Sequence, residues 1–542
     1  MMRKLGLRLP AAWNLSFWLI LAALLLTLAA RSLDISRQHH FPVYDEVDYL
    51  DLARDFADQG MGPIVRDHFR GRHLEDSRHP LYLMLLSFVM DHTPRDFTRA
   101  KLLSLVQAGL FLFVIFFFAG RQFGHPVGLG TLIALGLSPT LAHLSQEILA
   151  DVLFGMLYFA GLYVVLYPRK SWRSWAAAGS LMALSYLAKG NGYFLLIALL
   201  AVGVSESGLR FFKSAAFYVS LGFFCLIASP LLIRNLRVWG NPFYNMSGKV
   251  IWLDGWADHF ILISKPIWGQ IGLEWYLQHH TWADMLFRLL HGMKETLSML
   301  IICMSVGPRS IGRLTGSVCA GFAVFGFYRR WREGRRTEVW GVLSVSVVLL
   351  LAFSWGVPAL SSNYRYVFPI AVSWTPFAIV GLLHFARPML ASARTTFLLN
   401  CLLFCACAGF VFTSRRGFLA NPLSLWTVPP VWAETTSWIK RNLREQRFLV
   451  SNRTYYSPWE CCRNTRDSFP LDFNSQLLRE HIRIKDLHAA LLDQSLPVDD
   501  PLQDKFSPRD RFGPVSFLGW KRCFHDSLSP SVFLIYSEHC PP

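Results

Sequence analysis

Two carboxylates stand side by side at Asp45-Glu46, close behind the first long apolar run of the chain. From Tyr44 to Gly60 the sequence reads YDEVDYLDLARDFADQG, with Tyr49, Leu52 and Phe56 at helical spacing. This pattern predicts an amphipathic helix lying along a membrane surface, with the acidic pair at its N-terminus, where the helix dipole favours negative charge. Such carboxylates can do two things. They can cap the helix, or one can act as general base on a substrate hydroxyl. A third carboxylate, Asp151, lies about one turn inside another apolar stretch, after Ser138-Pro139-Thr140 and Gln146-Glu147. An ionisable group in an apolar helix is a functional candidate by default, although a structural hydrogen bond between helices would also account for it.

Cations recur at matching positions. Arg78-His79-Pro80-Leu81-Tyr82 ends the acidic segment, and Lys189-Gly190-Asn191-Gly192 interrupts an apolar stretch. Arg234 follows Ser229-Pro230 and precedes Gly240-Asn241-Pro242, and Arg365 sits in Asn363-Tyr364-Arg365-Tyr366-Val367-Phe368-Pro369. Pairing with the acidic loop would explain any one of them. An anionic head group would explain all four together, because guanidinium and ammonium groups bind phosphate.

The elements that must position these residues are membrane helices. The chain has 542 residues, of which 53% are hydrophobic and 16% charged, well below the roughly 25% charged content of soluble domains. Candidate spans of about 20 residues fall at 13–31, 99–120, 127–144, 148–167, 174–188, 191–207, 214–232, 295–328, 338–356, 366–386 and 395–413. The eighth is long and breaks near Gly307-Pro308. The N-terminal run, Trp13 to Ala30, is too long for a secretory signal and reads as a retained span. The expected fold is mainly α, a polytopic protein of about eleven spans.

The net charge of +17 belongs to short loops: Arg3/Lys4/Arg8, Arg121, Arg169/Lys170/Arg173, Arg210/Lys213, Arg329 to Arg336, and Arg387/Arg394. Eleven spans put all of them on one side, the cytoplasmic one, so nucleic acid is not an expected partner. Three long segments then face outward: 32–98, 233–294 and 414–542. The first holds twelve of the 36 acidic residues. The second carries Trp252, Trp256, Trp275 and Trp282, better suited to anchoring at the interface than to stacking on sugars. The third is expected to be a small α/β soluble domain, with a helix at 433–443, strands at 447–451 and 532–536, and up to two disulfides among Cys461, Cys462, Cys523 and Cys540. The domain division is therefore 1–413 and 414–542.

A first span, then Asp45-Glu46-Val47-Asp48-Tyr49, then His79-Pro80-Leu81-Tyr82 resembles the GT-C membrane glycosyltransferases, in particular the protein O-mannosyltransferases and the lipid A aminoarabinose transferases. Ser138-Pro139 with Asp151, Leu187-Ala188-Lys189-Gly190, Arg234 with Gly240-Asn241-Pro242, and Arg365 to Pro369 continue the order over 13–370. The resemblance implies an inverting transfer of a sugar from a polyprenyl-phosphate-linked donor to a lipid, glycan or protein acceptor at the outer face of a bacterial inner membrane. It implies that Asp45 deprotonates or orients the acceptor, that Glu46 places Asp45 or binds sugar hydroxyls, and that Asp151 is a second active-site carboxylate. Arg78, His79, Tyr82, Lys189, Arg234, Arg365 and Tyr366 would bind substrate or its phosphate. Arg78-His79 stands where the aminoarabinose transferases have Glu-Lys, so the phosphate contact there would fall to Arg78, or to His79 only when protonated. No cofactor is implied with certainty, and a divalent cation is left open. The competing readings are an outer-face glycan ligase or polymerase and a transporter.

Overall fold

The computed structural model describes residues 45–390, except 73–77, 92–94, 168–170, 256–268, 308–310 and 361–362, together with five strand segments further on. The expected spans at 13–31 and 395–413 lie outside the described residues, as do Tyr44 and the expected helix at 433–443.

The described part is mainly helical. Two short helices, α1 (Asp45–Gln59) and α2 (Met61–Arg70), precede α3 (Pro80–Ser87). The bundle follows: α4 (Arg95–Phe123), α5 (His125–Gly136), α6 (Pro139–Leu144), α7 (Asp151–Leu166), α8 (Trp172–Ala188), α9 (Leu195–Ser207), α10 (Ala215–Trp239), α11 (Trp282–Cys303), α12 (Gly312–Arg332), α13 (Arg336–Leu360) and α14 (Tyr364–Leu390). Among the described residues, five stretches are long and apolar enough to cross a membrane: 95–123, 190–213, 215–239, 336–360 and 364–386. The apolar helices α5 and α7 are shorter.

Small residues let the helices approach closely, the packing device of membrane bundles. A Cβ on Gly179 of α8 would sit 2.1 Å from the Ser220 carbonyl oxygen of α10. One on Gly326 of α12 would sit 1.9 Å from the Phe377 carbonyl oxygen of α14. Aromatic rings fill the bundle interior, where Tyr82, Tyr158, Tyr163, Phe111, Phe368 and Phe377 are fully buried.

Two candidate windows each divide into two helices, the second of them around the break expected at Gly307-Pro308. The window 127–144 divides into α5 and α6, because Ser138-Pro139 starts a new helix that the Ser138 hydroxyl caps at the amide of Leu141. The window 295–328 divides into α11 and α12. α11 runs along one end of α13 rather than through the bundle: its Arg288 donates to the Trp355 carbonyl, and Gly292 meets Ser354. Its Arg288, Lys294 and Glu295 explain why it is not apolar enough to cross. α12 then runs toward the basic connection at Arg329 to Arg336. At that opposite end Arg330 pairs with Glu338 at 2.6 Å and lies over the Phe123 ring, while Arg121 lies over Tyr167.

Beyond residue 390 the described segments are β1 (Phe448–Ser451), β2 (Arg466–Phe469), β3 (Ala489–Asp493), β4 (Lys521–His525) and β5 (Phe533–Ser537). They form one sheet in the order β2-β1-β3-β5-β4. β1 pairs in parallel with β2 and β3, and β5 pairs antiparallel with β3 and β4.

Candidate active site

α1 buries Tyr49, Leu50, Ala53 and Phe56 on one face. Its first turn holds Asp45, Glu46 and Asp48, as the helix dipole favours. The two adjacent carboxylates point different ways, because successive residues of a helix do not share a face. Glu46 is buried. Its Oε1 accepts from the Ile148 amide at 2.9 Å and forms an ion pair with Lys101 of α4. Glu46 therefore ties α1 to α4 and to the turn preceding α7.

Asp45 belongs to an alternating row of charges. Arg78 Nη2 donates to Asp48 Oδ2 at 3.0 Å and to Asp45 Oδ1 at 2.7 Å. Arg365 Nη1 donates to Asp45 Oδ2 at 2.8 Å. The same guanidinium reaches Asp151 Oδ2 through Nε at 3.2 Å and Nη2 at 3.1 Å. Lys189 Nζ completes the row at 2.6 Å from Asp151 Oδ1. Three carboxylates and three cations thus alternate across parts of the chain up to 320 residues apart.

Local structure aims each group. Asp151 opens α7, and Lys189 is the extended residue at which α8 stops, with φ −157° and ψ 137°. Arg365 is the second residue of α14, its amide held by Asn363 Oδ1 at 3.0 Å. Asp151 has 2% of its side chain exposed, against 34% for Asp45. A carboxylate as enclosed as Asp151 is tolerated in charged form because two cations hold it. Burial pushes the Asp45 carboxyl up, but Arg78 and then Arg365 outweigh burial and hold it below the usual carboxylate range.

Aromatic rings back the row. The Arg78 guanidinium lies 5.2 Å from the centre of Tyr49, and Lys189 Nζ lies 5.6 Å from Tyr366. Tyr82 stands edge-on to Tyr49 at 5.1 Å, fully buried, its hydroxyl 3.2 Å from Ser104 Oγ. Tyr82 is thus a buttress behind the site, whereas Tyr366 lies in it.

His79 and Arg234 lie in a second cluster. Asn245 Oδ1 accepts from the Ser247 amide at 2.8 Å, which fixes the amide group and leaves Nδ2 as the donor to His79 Nε2 at 3.1 Å. His79 is thus held beside Asn245 rather than in the charge row. Its ring stands edge-on to Tyr186 at 5.1 Å. Arg234 is buried near Tyr186 and near His68, whose pKa is pushed down by burial and also by the Arg234 charge.

Of the ten residues singled out from the sequence, Asp45, Asp151, Arg78, Lys189 and Arg365 meet in one row with Tyr366 against it. Glu46 and Tyr82 support that row from behind, and His79 and Arg234 form a neighbouring cluster. Asp48 is not among the ten, yet it joins the row through Arg78. Its spacing of three residues from Asp45, one helical face, was the available signal. Among the described residues no group of three or more His, Cys, Asp or Glu side chains is set to hold a metal ion. The Arg365 guanidinium bridges Asp45 and Asp151.

Residues 77–233 match the family described as dolichyl-phosphate-mannose-protein mannosyltransferase. ArnT from Cupriavidus metallidurans, solved bound to undecaprenyl phosphate, shares the fold with a TM-score of 0.57 at 13% identity, over 98% of this chain and 100% of that one. The Archaeoglobus fulgidus oligosaccharyltransferase AglB, solved with an inhibitory peptide and a dolichol-phosphate, shares it with a TM-score of 0.54 at 11% identity, over 89% of this chain and 70% of that one. No curated protein sequence matches the chain. The fold is therefore one shared with ArnT and with AglB.

Proposed function

We propose that the protein is an inverting membrane glycosyltransferase that moves a sugar from a polyprenyl-phosphate-linked donor to a lipid, glycan or protein acceptor. The observation that carries this reading is the alternating row Asp48–Arg78–Asp45–Arg365–Asp151–Lys189, in which a base-competent carboxylate lies between guanidinium groups suited to phosphate.

In this reading the acceptor hydroxyl oxygen attacks the anomeric carbon from the face opposite the phosphate. The bond from that carbon to the phosphate oxygen breaks, and its electron pair leaves with the polyprenyl phosphate. Arg78, Arg365 and Lys189 stabilise the charge that develops on the leaving phosphate. Asp45 orients the acceptor hydroxyl and receives its proton. Asp151 holds Arg365 and Lys189 in place, and Glu46 fixes the helix that carries Asp45. Because the row is already neutral, a donor phosphate must draw guanidinium contacts away from Asp45, which raises the basicity of that carboxylate as the donor arrives.

The reading extends to topology. We assign eleven spans within 1–413, with the site, the segments 32–98 and 233–294, and an α/β domain at 414–542 on the outer side of a bacterial inner membrane. The basic connections at the end of the bundle opposite the site support this orientation.

The test is release of polyprenyl phosphate from a polyprenyl-phosphate-sugar donor by purified protein in lipid nanodiscs. Asp45→Asn is expected to lower turnover by roughly a hundredfold or more, the scale of a general base, with expression unchanged. Full turnover in that variant would remove Asp45 from the mechanism. Counterflow of a free solute in vesicles, without sugar transfer, would replace the reading by a transporter.

A further inference from the structure

The segment 245–254 reaches both flanks of the charge row. At its start, Asn245 Nδ2 lies 3.1 Å from Nε2 of His79, the residue after Arg78. Gly190, the residue after Lys189, stands against the same amide: a Cβ there would lie 3.3 Å from Asn245 Nδ2 and 3.0 Å from His79 Nε2. Buried Asn235 of α10 donates to the carbonyls of Pro242 at 3.1 Å and Tyr244 at 3.0 Å, which fixes the approach of the chain to this point. Further along, Val250 and Leu253 pack with Ala359 of α13, and a Cβ on Gly356 would lie 3.3 Å from Ile251 Cγ2. α13 ends at Leu360, five residues before Arg365, and its Phe353 ring stacks on Tyr366 at 5.4 Å.

One side chain of α11 holds the far end of the segment. Arg288 is buried, and its Nη2 donates to the carbonyls of Ile251 and Leu253, both at 2.8 Å. Nη1 donates to Asp254 Oδ1 at 3.1 Å, and Nε to the Trp355 carbonyl of α13 at 2.9 Å. The guanidinium lies 4.9 Å from the centre of Tyr276 and 5.1 Å from that of Trp355. Asp254 has 58% of its side chain exposed, and an ion pair with so exposed a partner contributes little. What Arg288 achieves is geometric: its rigid fork clamps 251–254 onto α13, which the point charge of a lysine cannot do.

We propose that the segment 245–254, pinned at Asn245 and at Arg288, is the spacer that sets Arg78 and Lys189 on one flank at a fixed distance from Arg365 on the other. Arg288 and Asn245 are positioning residues in this arrangement, and neither takes part in the bond changes. The proposal rests on the transferase reading, in which those three cations hold the donor phosphate. Their spacing matters because charge-assisted hydrogen bonds to one phosphate span only about 2.7–2.9 Å.

The experiment titrates undecaprenyl phosphate into the full chain in detergent and follows binding by isothermal titration calorimetry. Stoichiometry reports the folded fraction, and affinity reports the site within it. Arg288→Lys and Asn245→Ala are each expected to weaken binding by about tenfold at unchanged stoichiometry. Among the described residues the two pins share no hydrogen-bond partner, so independent losses would multiply to about a hundredfold in the double variant. Because releasing either pin frees the same spacer, the double variant should instead bind nearly as well as either single one. Unchanged affinity in the single variants, a loss of stoichiometry alone, or losses that multiply overturns the proposal and leaves the transferase reading standing. If Arg288→Lys yields no folded protein, Asn245→Ala decides alone, and wild-type affinity there overturns the proposal. A wild type that does not bind undecaprenyl phosphate removes the transferase reading, and the spacer assignment with it.

Discussion

Asp45 and Asp151 are similar in type but different in situation. Asp45 is partly open and shared between two arginines, whereas Asp151 is enclosed and neutralises one arginine and one lysine. Removing the Asp151 charge leaves Arg365 and Lys189 facing each other without their common counter-ion. Asp151→Asn is expected to destabilise the protein by about 3 kcal/mol, the scale of a broken buried pair, measured by thermal unfolding in detergent. Pairing it with Lys189→Met should restore part of that stability without restoring turnover. Equal stability of the single variant and the wild type would show that the pair is not a structural counterweight. Glu147 gives a second residue-level prediction. Burial first, and then the charge of Glu46, push its carboxyl up to about 7, against Lys101 and Arg365, with Asp151 adding to the rise and His143 Nε2 at 3.1 Å. A carboxyl raised by folding contributes its stability at low pH and loses it as pH rises between about 4.5 and about 7. Glu147→Gln, which mimics the neutral form, should therefore raise the unfolding temperature at pH 8 and leave it nearly unchanged at pH 4.5. A gain of equal size at both pH values would contradict this origin.

At the scale of elements, helix placement depends on a few contacts. α1 carries Asp45, and Glu46 fastens it to Lys101 and to the Ile148 amide. Glu46→Ala removes the carboxylate from both and should cost about 3 kcal/mol. Turnover should fall through displacement of α1, while Glu46→Gln keeps an acceptor for the amide and retains more activity. Equal activity in the two variants would mean that the Ile148 bond does not position the helix. The contact between α8 and α10 is steric. With the Gly179 Cβ direction ending 2.1 Å from a carbonyl oxygen, even Gly179→Ala must push the helices apart. The expected result is a marked loss of folded protein in size-exclusion chromatography, and a wild-type profile would show that the two helices can separate without penalty.

At the scale of the whole molecule, the division of the 295–328 window matters most. Two crossings there would reverse every later loop. α11 meets α13 at Trp355, near the site, and α12 ends at the basic connection, so the proposed topology counts one crossing in this window. A cysteine in place of Glu274 should react with a membrane-impermeant maleimide on intact cells. One in place of Arg335 should react only after permeabilisation. The reverse pattern would invert the proposed topology.

Read by itself, the sequence determined the kinds and rough depths of the functional groups. Charged residues are costly among apolar ones, so Asp151, Lys189 and Arg365 stood out without any structure. Apolar length marked the helices, and the basic loops marked one end of the bundle. Tertiary structure decided the pairing. Helix packing turns Glu46 away from Asp45 and into Lys101, sets Tyr82 behind Tyr49, and brings Asp48 to Arg78. It also sets His79 against Asn245, outside the row. The physical reason is range: burial cost and helix periodicity act over a turn or two of one helix and are written in local sequence. An ion pair acts over about 3 Å, and which helices approach that closely depends on the packing of the whole bundle.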